Sequence, residues 1–242
     1  MNQIQMFRQT MAEFKSNPEW PESELITTLL PETPPLGRKK AAWRVVNADV
    51  VQVMAETDGQ VGVMNFASPT NPGGGVEYGA RAQEESIAKC TYLMPALRQF
   101  EANYYEPNRA DARGGLNSAS LIYSAHVRQL FDHQDQRLSG HYVDIVTVAA
   151  PNLRRFPNLD EAQALADIQV KILQTLRAFK AHAVRVPILG AFGCGVFGNQ
   201  PESVGQAFAT ALRRQEFNGA FDEVVFAVIG DNYRPFLAGL KM

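Results

Sequence analysis

Two glycine-rich stretches, each set directly after an apolar run, limit most strongly how this chain can fold. The first, NFASPTNPGGGVEYGARAQEE at 65–85, follows QVGVMNF at 60–66. The second, GAFGCGVFGNQP at 190–201, follows AVRVPILG at 183–190. Apolar runs this short, closed by turn residues, read as buried strands. Segments of helical periodicity separate them, so strands alternate with helices. That order specifies an α/β fold with a mainly parallel sheet covered on both faces. Ligands of such sheets bind beyond the carboxyl ends of the strands. Both glycine loops therefore belong at one rim.

Gly73, Gly74 and Gly75 form a run that would weaken a regular element, so they mark backbone that bends sharply or comes close to something. Main-chain N–H groups in such a loop, next to a helix start, form an anion cradle. Gln83, Glu84 and Glu85 open that helix and bring two carboxylates to the cradle. The combination points to a phosphate-bearing ligand with acid/base chemistry beside it. A plain surface turn before a charged helix start is the bland alternative, and the second loop weighs against it. Neither loop has the GK[ST] of a P-loop or a dinucleotide fingerprint followed by an acidic residue.

Composition narrows the class. The 242 residues are 45% hydrophobic and 20% charged, as in an ordinary globular domain with room for an appendage. A net charge of -2 gives no basic footprint for direct nucleic-acid binding. No apolar run approaches the roughly 18 residues of a membrane span, and MNQIQMFRQTMAEF lacks a secretory core. Cys90 and Cys194 have no metal-ligand spacing and read as inert. His126, His133 and His141 are irregularly spaced and read as exposed histidines near loop ends, not as a zinc site. These features predict a cytoplasmic protein without membrane partner, metal or cofactor; oligomeric state is open in the sequence, with a monomer as the default.

In order, residues 1–40 read as a helical extension. MFRQTMAEFK forms one helix, Pro21 opens a second over PESELITTLL, and PETPPLG (31–37) connects them to a main domain at 41–242. There, a strand at 43–48 precedes a helix from Asp49 through Ala55. A helix from Gln83 to about Leu93 breaks at Pro95 and resumes to about Tyr104. Residues 106–117 read as a polar loop, with strands at 118–127 and 141–152. Asn158 and Glu161 form a capping box for a helix to about Phe179, striped by Leu165, Ile168, Ile172, Leu176 and Phe179. A helix bearing Val204, Phe208 and Leu212 follows the second loop, then a strand at 221–230 and a short tail.

The motif GGG-x7-QEE after NFAS is similar to that of bacterial-type poly(ADP-ribose) glycohydrolases, which are catalytic macrodomains. The likeness continues at IYSAHV (122–127), TVAAPN (147–152), GAFGCGVFGNQP (190–201) and VVFAVI (224–229), and covers roughly 43–229. It implies a three-layer α/β/α macrodomain with a mixed, mainly parallel sheet and a helical N-terminal extension. It further implies cleavage of ribose–ribose O-glycosidic bonds, with ADP-ribose polymer or ADP-ribosylated proteins as partners. By this resemblance Glu85 is the catalytic acid and Glu84 helps hold ribose hydroxyls. Gly73, Gly74 and Gly75, with Asn71 and Gln83, lie against the diphosphate and distal ribose. Gly193, Cys194, Gly195 and Val196 close over the diphosphate through backbone amides, Phe197 packs on the distal ribose, and Asp49 meets the adenine amino group.

Adjacent glutamates project about 100° apart on a helix, so they do not flank one sugar as paired glycosidase carboxylates do. A one-carboxylate scheme follows. Val76 and Glu77 depart from the bulky apolar residues usual after GGG, and His126 stands where an acidic residue is common. Three alternatives share much of this pattern: a macrodomain that binds ADP-ribose without turnover, a hydrolase of mono-ADP-ribosyl adducts, and a generic nucleotide-binding α/β domain.

Overall fold

A single seven-stranded sheet runs through the molecule, which a computed structural model describes over residues 1–242. The strands are β1 (Glu22–Ile26), β2 (Trp43–Val46), β3 (Val61–Phe66), β4 (Leu121–Phe131), β5 (Arg137–Val148), β6 (Val186–Leu189) and β7 (Val224–Ala227). Their order is β1-β4-β5-β3-β6-β7-β2. The five strands from β5 to β2 are parallel, while β4 is antiparallel to both β5 and β1. The carboxyl ends of the parallel strands thus share one rim, and both glycine loops leave from it.

Strand alternation builds two cores. Met64, Val146, Val148, Val224 and Phe226 face one side of the sheet, and Val61, Val63, Ile145 and Val225 face the other. Helices α6 (Glu161–Ala181), α7 (Pro201–Leu212) and α8 (Tyr233–Lys241) cover the first face. There Ile168, Ile172, Leu176 and Phe179 pack as the helical stripe requires, as do Val204, Phe208 and Leu212. Helices α1 (Gln3–Ser16), α2 (Val50–Glu56), α3 (Gln83–Ala88) and α4 (Leu93–Arg98) cover the second. The result is the three-layer α/β/α macrodomain architecture. No helix is long and apolar enough to cross a membrane.

Several sequence expectations need correction. The expected second N-terminal helix is the strand β1. ESELI alternates exposed and half-buried residues and pairs with the edge of β4, Ser23 opposite Ser124. The connection after it is strapped to α6: Gln174 accepts from Leu30 N, Arg177 donates to Leu30 O, and Lys180 donates to the carbonyls of Thr33 and Pro34.

The helix from Gln83 ends well before Pro95. Thr91 forms a β-bridge to Gln129, and Tyr92 N donates to Arg128 O, so the chain breaks against β4. Pro95 then sits in the first turn of α4, where a missing N–H costs nothing. The stretch read as a polar loop holds α5 (Glu106–Ala110), and its Asn108, Gly115 and Asn117 are buried. Asp160, not Asn158, caps α6, accepting from Gln163 N at 2.9 Å.

β4 and β5 form a hairpin rather than a strand–helix unit. His126 sits exposed in its bulge with φ 57° and His133 in its turn, whereas His141 is half-buried against Met54 O. The expected tail is α8. It meets α7 so closely that a Cβ on Gly239 would overlap Glu202 O.

Candidate active site

Helix α3 starts directly over the carboxyl end of β3, and Gln83 fastens it there. Gln83 Nε2 donates to Met64 O at 2.7 Å, and its Oε1 accepts from Phe66 N at 2.9 Å. These two main-chain groups lie beyond Val63↔Ile188, where β6 stops pairing with β3. Gln83 therefore borders the site while its amide serves the sheet.

Glu84 turns inward. Its Oε2 accepts from Ser68 N at 2.7 Å and its Oε1 from Asn65 Nδ2 at 3.3 Å, while Thr147 Oγ1 holds the same Asn65 amide at 3.2 Å. Burial pushes the Glu84 carboxyl up to about 8, outweighing the two donors. Asn65 Oδ1 has no partner. A half-turn of that amide presents this oxygen to a protonated Glu84, so the pair accommodates either protonation state.

The raised value makes a testable stability claim. Below the unfolded value of 4.5 both states hold the proton and Glu84 contributes nothing. As pH rises from 4.5 towards 8, the unfolded chain ionises first and the folded state loses stability. By pH 7 the loss reaches about 3 kcal/mol. Glu84→Gln removes it, so the stability of the variant relative to wild type improves by about 3 kcal/mol between pH 4.5 and 7. Urea unfolding of both proteins at both pH values measures this, and parallel profiles would refute it.

Glu85 turns towards the glycine loop. Its Oε1 accepts from Gly75 N at 2.8 Å and its Oε2 from Ala82 N at 2.9 Å. One carboxylate thus clips both ends of loop 75–82, which is closed further by Tyr78 N and Ala80 N on Gly75 O. A Cβ on Gly74 would overlap Glu85 Oε1 and lie 3.1 Å from Glu84 Oε2. Both carboxylates converge on this glycine, whose φ is +63°. Helix α1 braces the same loop: Gln3 donates to Ala80 O, and Phe7 packs with Val76, Ala88 and Met94.

The glycine run therefore stands behind the carboxylates. Gly73, Gly74 and Gly75 do not border the cavity, and neither does Asn71, which is exposed and shapes the turn by accepting from Gly74 N at 3.0 Å. Glu77 pairs with Arg98 at 3.2 Å, and His126 lies away from the cavity on the β4 bulge.

The second loop crosses the rim opposite. Asn199 holds it, its Nδ2 donating to Pro151 O and Gly193 O. Cys194 N donates to Ala191 O, and its side chain is buried in the interior, which pushes the thiol up to about 12. The N–H groups of Gly193, Gly195, Val196 and Phe197 make no hydrogen bond within the protein. They are the free donors of this loop, and all four residues border the cavity. Such donors suit an anion.

Between the loops lies a cavity of about 510 Å³, a size ordinary for a small-molecule site. Glu84, Glu85, Ser68 and Phe66 border one part of it, and Asp49 another. Asp49 caps α2, its Oδ1 accepting from Val51 N at 2.8 Å. Two strands, β6 and β7, separate β2 from β3, which sets Asp49 and the glutamates roughly 14 Å apart along the rim. Val196 and Ile229 expose apolar surface at the edge.

Ser68, Arg81, Ile229 and Asn232 border the cavity beyond the residues named from the sequence, and Asn65 and Asn199 hold Glu84 and Gly193 behind it. Asn65 carried a signal, a polar side chain inside an otherwise apolar strand. Ile229 and Asn232 carried none, since the segment read as a strand end and a tail.

The family model described as "Microbial-type PARG, catalytic domain" matches residues 5–131, just over half of the chain. The chain is similar to the poly(ADP-ribose) glycohydrolase (PARG) of Thermomonospora curvata, with a TM-score of 0.83, 25% identity and 98% coverage of each chain. A structure of that enzyme bound to the inhibitor ADP-HPD gives 0.82, 25% identity and 99% coverage of each chain. The Deinococcus radiodurans PARG in complex with ADP-ribose gives 0.75 and 30% identity over 84% of this chain and 85% of the other. No curated protein sequence matches significantly. Fold, motif and family model agree, and the chain belongs to the microbial-type poly(ADP-ribose) glycohydrolases.

Proposed function

We propose that this glycosyl hydrolase releases ADP-ribose from the polymer with Glu85 as its one proton-transferring group. The observation that carries the reading is the Glu85 carboxylate, fixed by two main-chain N–H groups and bordering the cavity. Glu84 is held on the same side of the site through Ser68 and Asn65, so the two acids do not flank a sugar. Glu85 delivers a proton to the departing ribose oxygen as the glycosidic C–O bond breaks and oxocarbenium character develops on the distal ribose. Its carboxylate then takes a proton from the attacking water, and the enzyme regains its starting state.

The remaining groups bind. Glu84 hydrogen-bonds the distal ribose hydroxyls. The free N–H groups of Gly193, Gly195, Val196 and Phe197 receive the diphosphate. The Phe197 ring packs on the distal ribose, and Asp49 accepts from the adenine amino group. Gln83 and the three glycines act through the carboxylates that they position. The partners are ADP-ribose polymer and proteins that carry it. Release of free ADP-ribose from purified polymer by the wild-type protein tests the activity, and a protein that binds ADP-ribose without releasing any would overturn it.

Gly195 gives a test of the binding loop alone. A Cβ there meets no protein atom within 4 Å, so Gly195→Val changes the ligand's space and little else. The expected result is at least tenfold weaker ADP-ribose binding, about 1.4 kcal/mol, by calorimetry. Unchanged affinity would remove the second loop from the diphosphate site.

A further inference from the structure

Resting on that reading, we infer that Tyr78 and Arg81 form a subsite for the leaving side of the polymer, Tyr78 stacking on the adenine of the departing unit and Arg81 pairing with its diphosphate. The bond that Glu85 serves has two sides. One ends in the distal ribose inside the cavity; the other continues into a further unit with a flat base and two phosphates. That unit leaves past the carboxylate that protonates it.

Loop 75–82 adjoins that carboxylate, since Glu85 holds both of its ends; Arg81 and Ala82 border the cavity and Tyr78 lies outside it. Arg81 directly precedes the Ala82 N–H that Glu85 binds; it borders the cavity, is exposed and forms no ion pair. Tyr78 ends the 3-10 turn Val76–Tyr78 in the same loop, and the residue is 88% exposed, more than any other large hydrophobic one. It takes part in no aromatic pair within the chain. The one acidic residue of the loop, Glu77, is paired with Arg98, so the loop presents an unpaired cation and a free ring three residues apart in sequence. Aromatic rings with nearby arginines are how proteins hold an unpaired base and its phosphates. Helix α1 and the Gly75 O bonds keep the loop's backbone in place.

The test compares two substrates that fill the cavity alike. One is poly(ADP-ribose). The other is an aryl glycoside of ADP-ribose, whose leaving group lacks a base and phosphates. For Tyr78→Ala and Arg81→Ala, the ratio of kcat/KM on polymer to kcat/KM on the aryl glycoside falls at least tenfold, through KM on polymer. Tyr78→Phe, which keeps the ring, restores the ratio. Arg81→Ala also flattens the rise of the polymer KM with salt. Because Tyr78 packs against almost nothing, its loss does not disturb folding. A wild type that cleaves both substrates, with variants that change both equally or neither, overturns this subsite and leaves the proposed function standing. A wild type that cleaves neither overturns the proposed function, and the subsite with it.

Discussion

Glu85→Gln is expected to bind ADP-ribose within about threefold of wild type and to lose polymer hydrolysis by roughly 10²–10⁴-fold, the contribution of a positioned acid. The substitution keeps the side chain's volume and removes its proton chemistry. It also has a structural cost that the geometry specifies. Gly75 N and Ala82 N each donate to one carboxylate oxygen, and a Gln offers one acceptor. One main-chain donor loses its partner, at about 1–3 kcal/mol. The variant should therefore melt earlier while remaining folded, and calorimetric binding separates that effect from lost chemistry. Near-normal release of ADP-ribose would end the assignment of Glu85.

Gly74→Ala is expected to cut turnover by roughly 10²-fold, the scale that a 1 Å misplacement of reacting groups commands. The added Cβ would overlap Glu85 Oε1 and crowd Glu84 Oε2. Relief requires Glu85 to leave its two N–H donors. The φ of +63° adds strain for any L side chain, about 1–3 kcal/mol. The pattern differs from Gly195→Val, where the expected loss is in ligand affinity. A Gly74→Ala enzyme with turnover within threefold of wild type would show that the glycine run does not set the position of the acid.

The sheet was readable because its signals are local. QVGVMNF, AVRVPILG and VVFAVI are apolar runs that need no distant knowledge to be read as buried strands, and the stripe of α6 repeats with the helix period. β1 was misread because ESELI is too short for its alternation to outweigh the Pro21 helix signal, and its partner strand lies far along the chain. The hairpin of β4 and β5 was missed because its turn lacks the glycine-bearing pairs that mark tight hairpins.

In the site, both glycine loops and both acids come to one rim, but the Gly75 N–H expected to face an anion is taken by Glu85 Oε1. The gap between Gly75 and Glu85 could not show that a side chain folds back to receive that loop's N–H. Likewise Gln83, named as a ligand contact, spends its amide on β3. In the second loop Cys194 N, named among the diphosphate donors, is spent on Ala191 O, while the N–H of Phe197 is free.

The edge strand β2 pairs with β7 alone, Trp43 opposite Val224. During synthesis from the N-terminus, β2 emerges early and then waits for nearly the whole chain before it finds a partner. Asp49 follows it directly, so one end of the cavity cannot close until residues 224–227 have left the ribosome. Pairing across so long a separation is slow, and the lone strand is exposed to wrong partners meanwhile. Nascent chains stopped short of β7 would therefore carry both glutamates and no finished cavity.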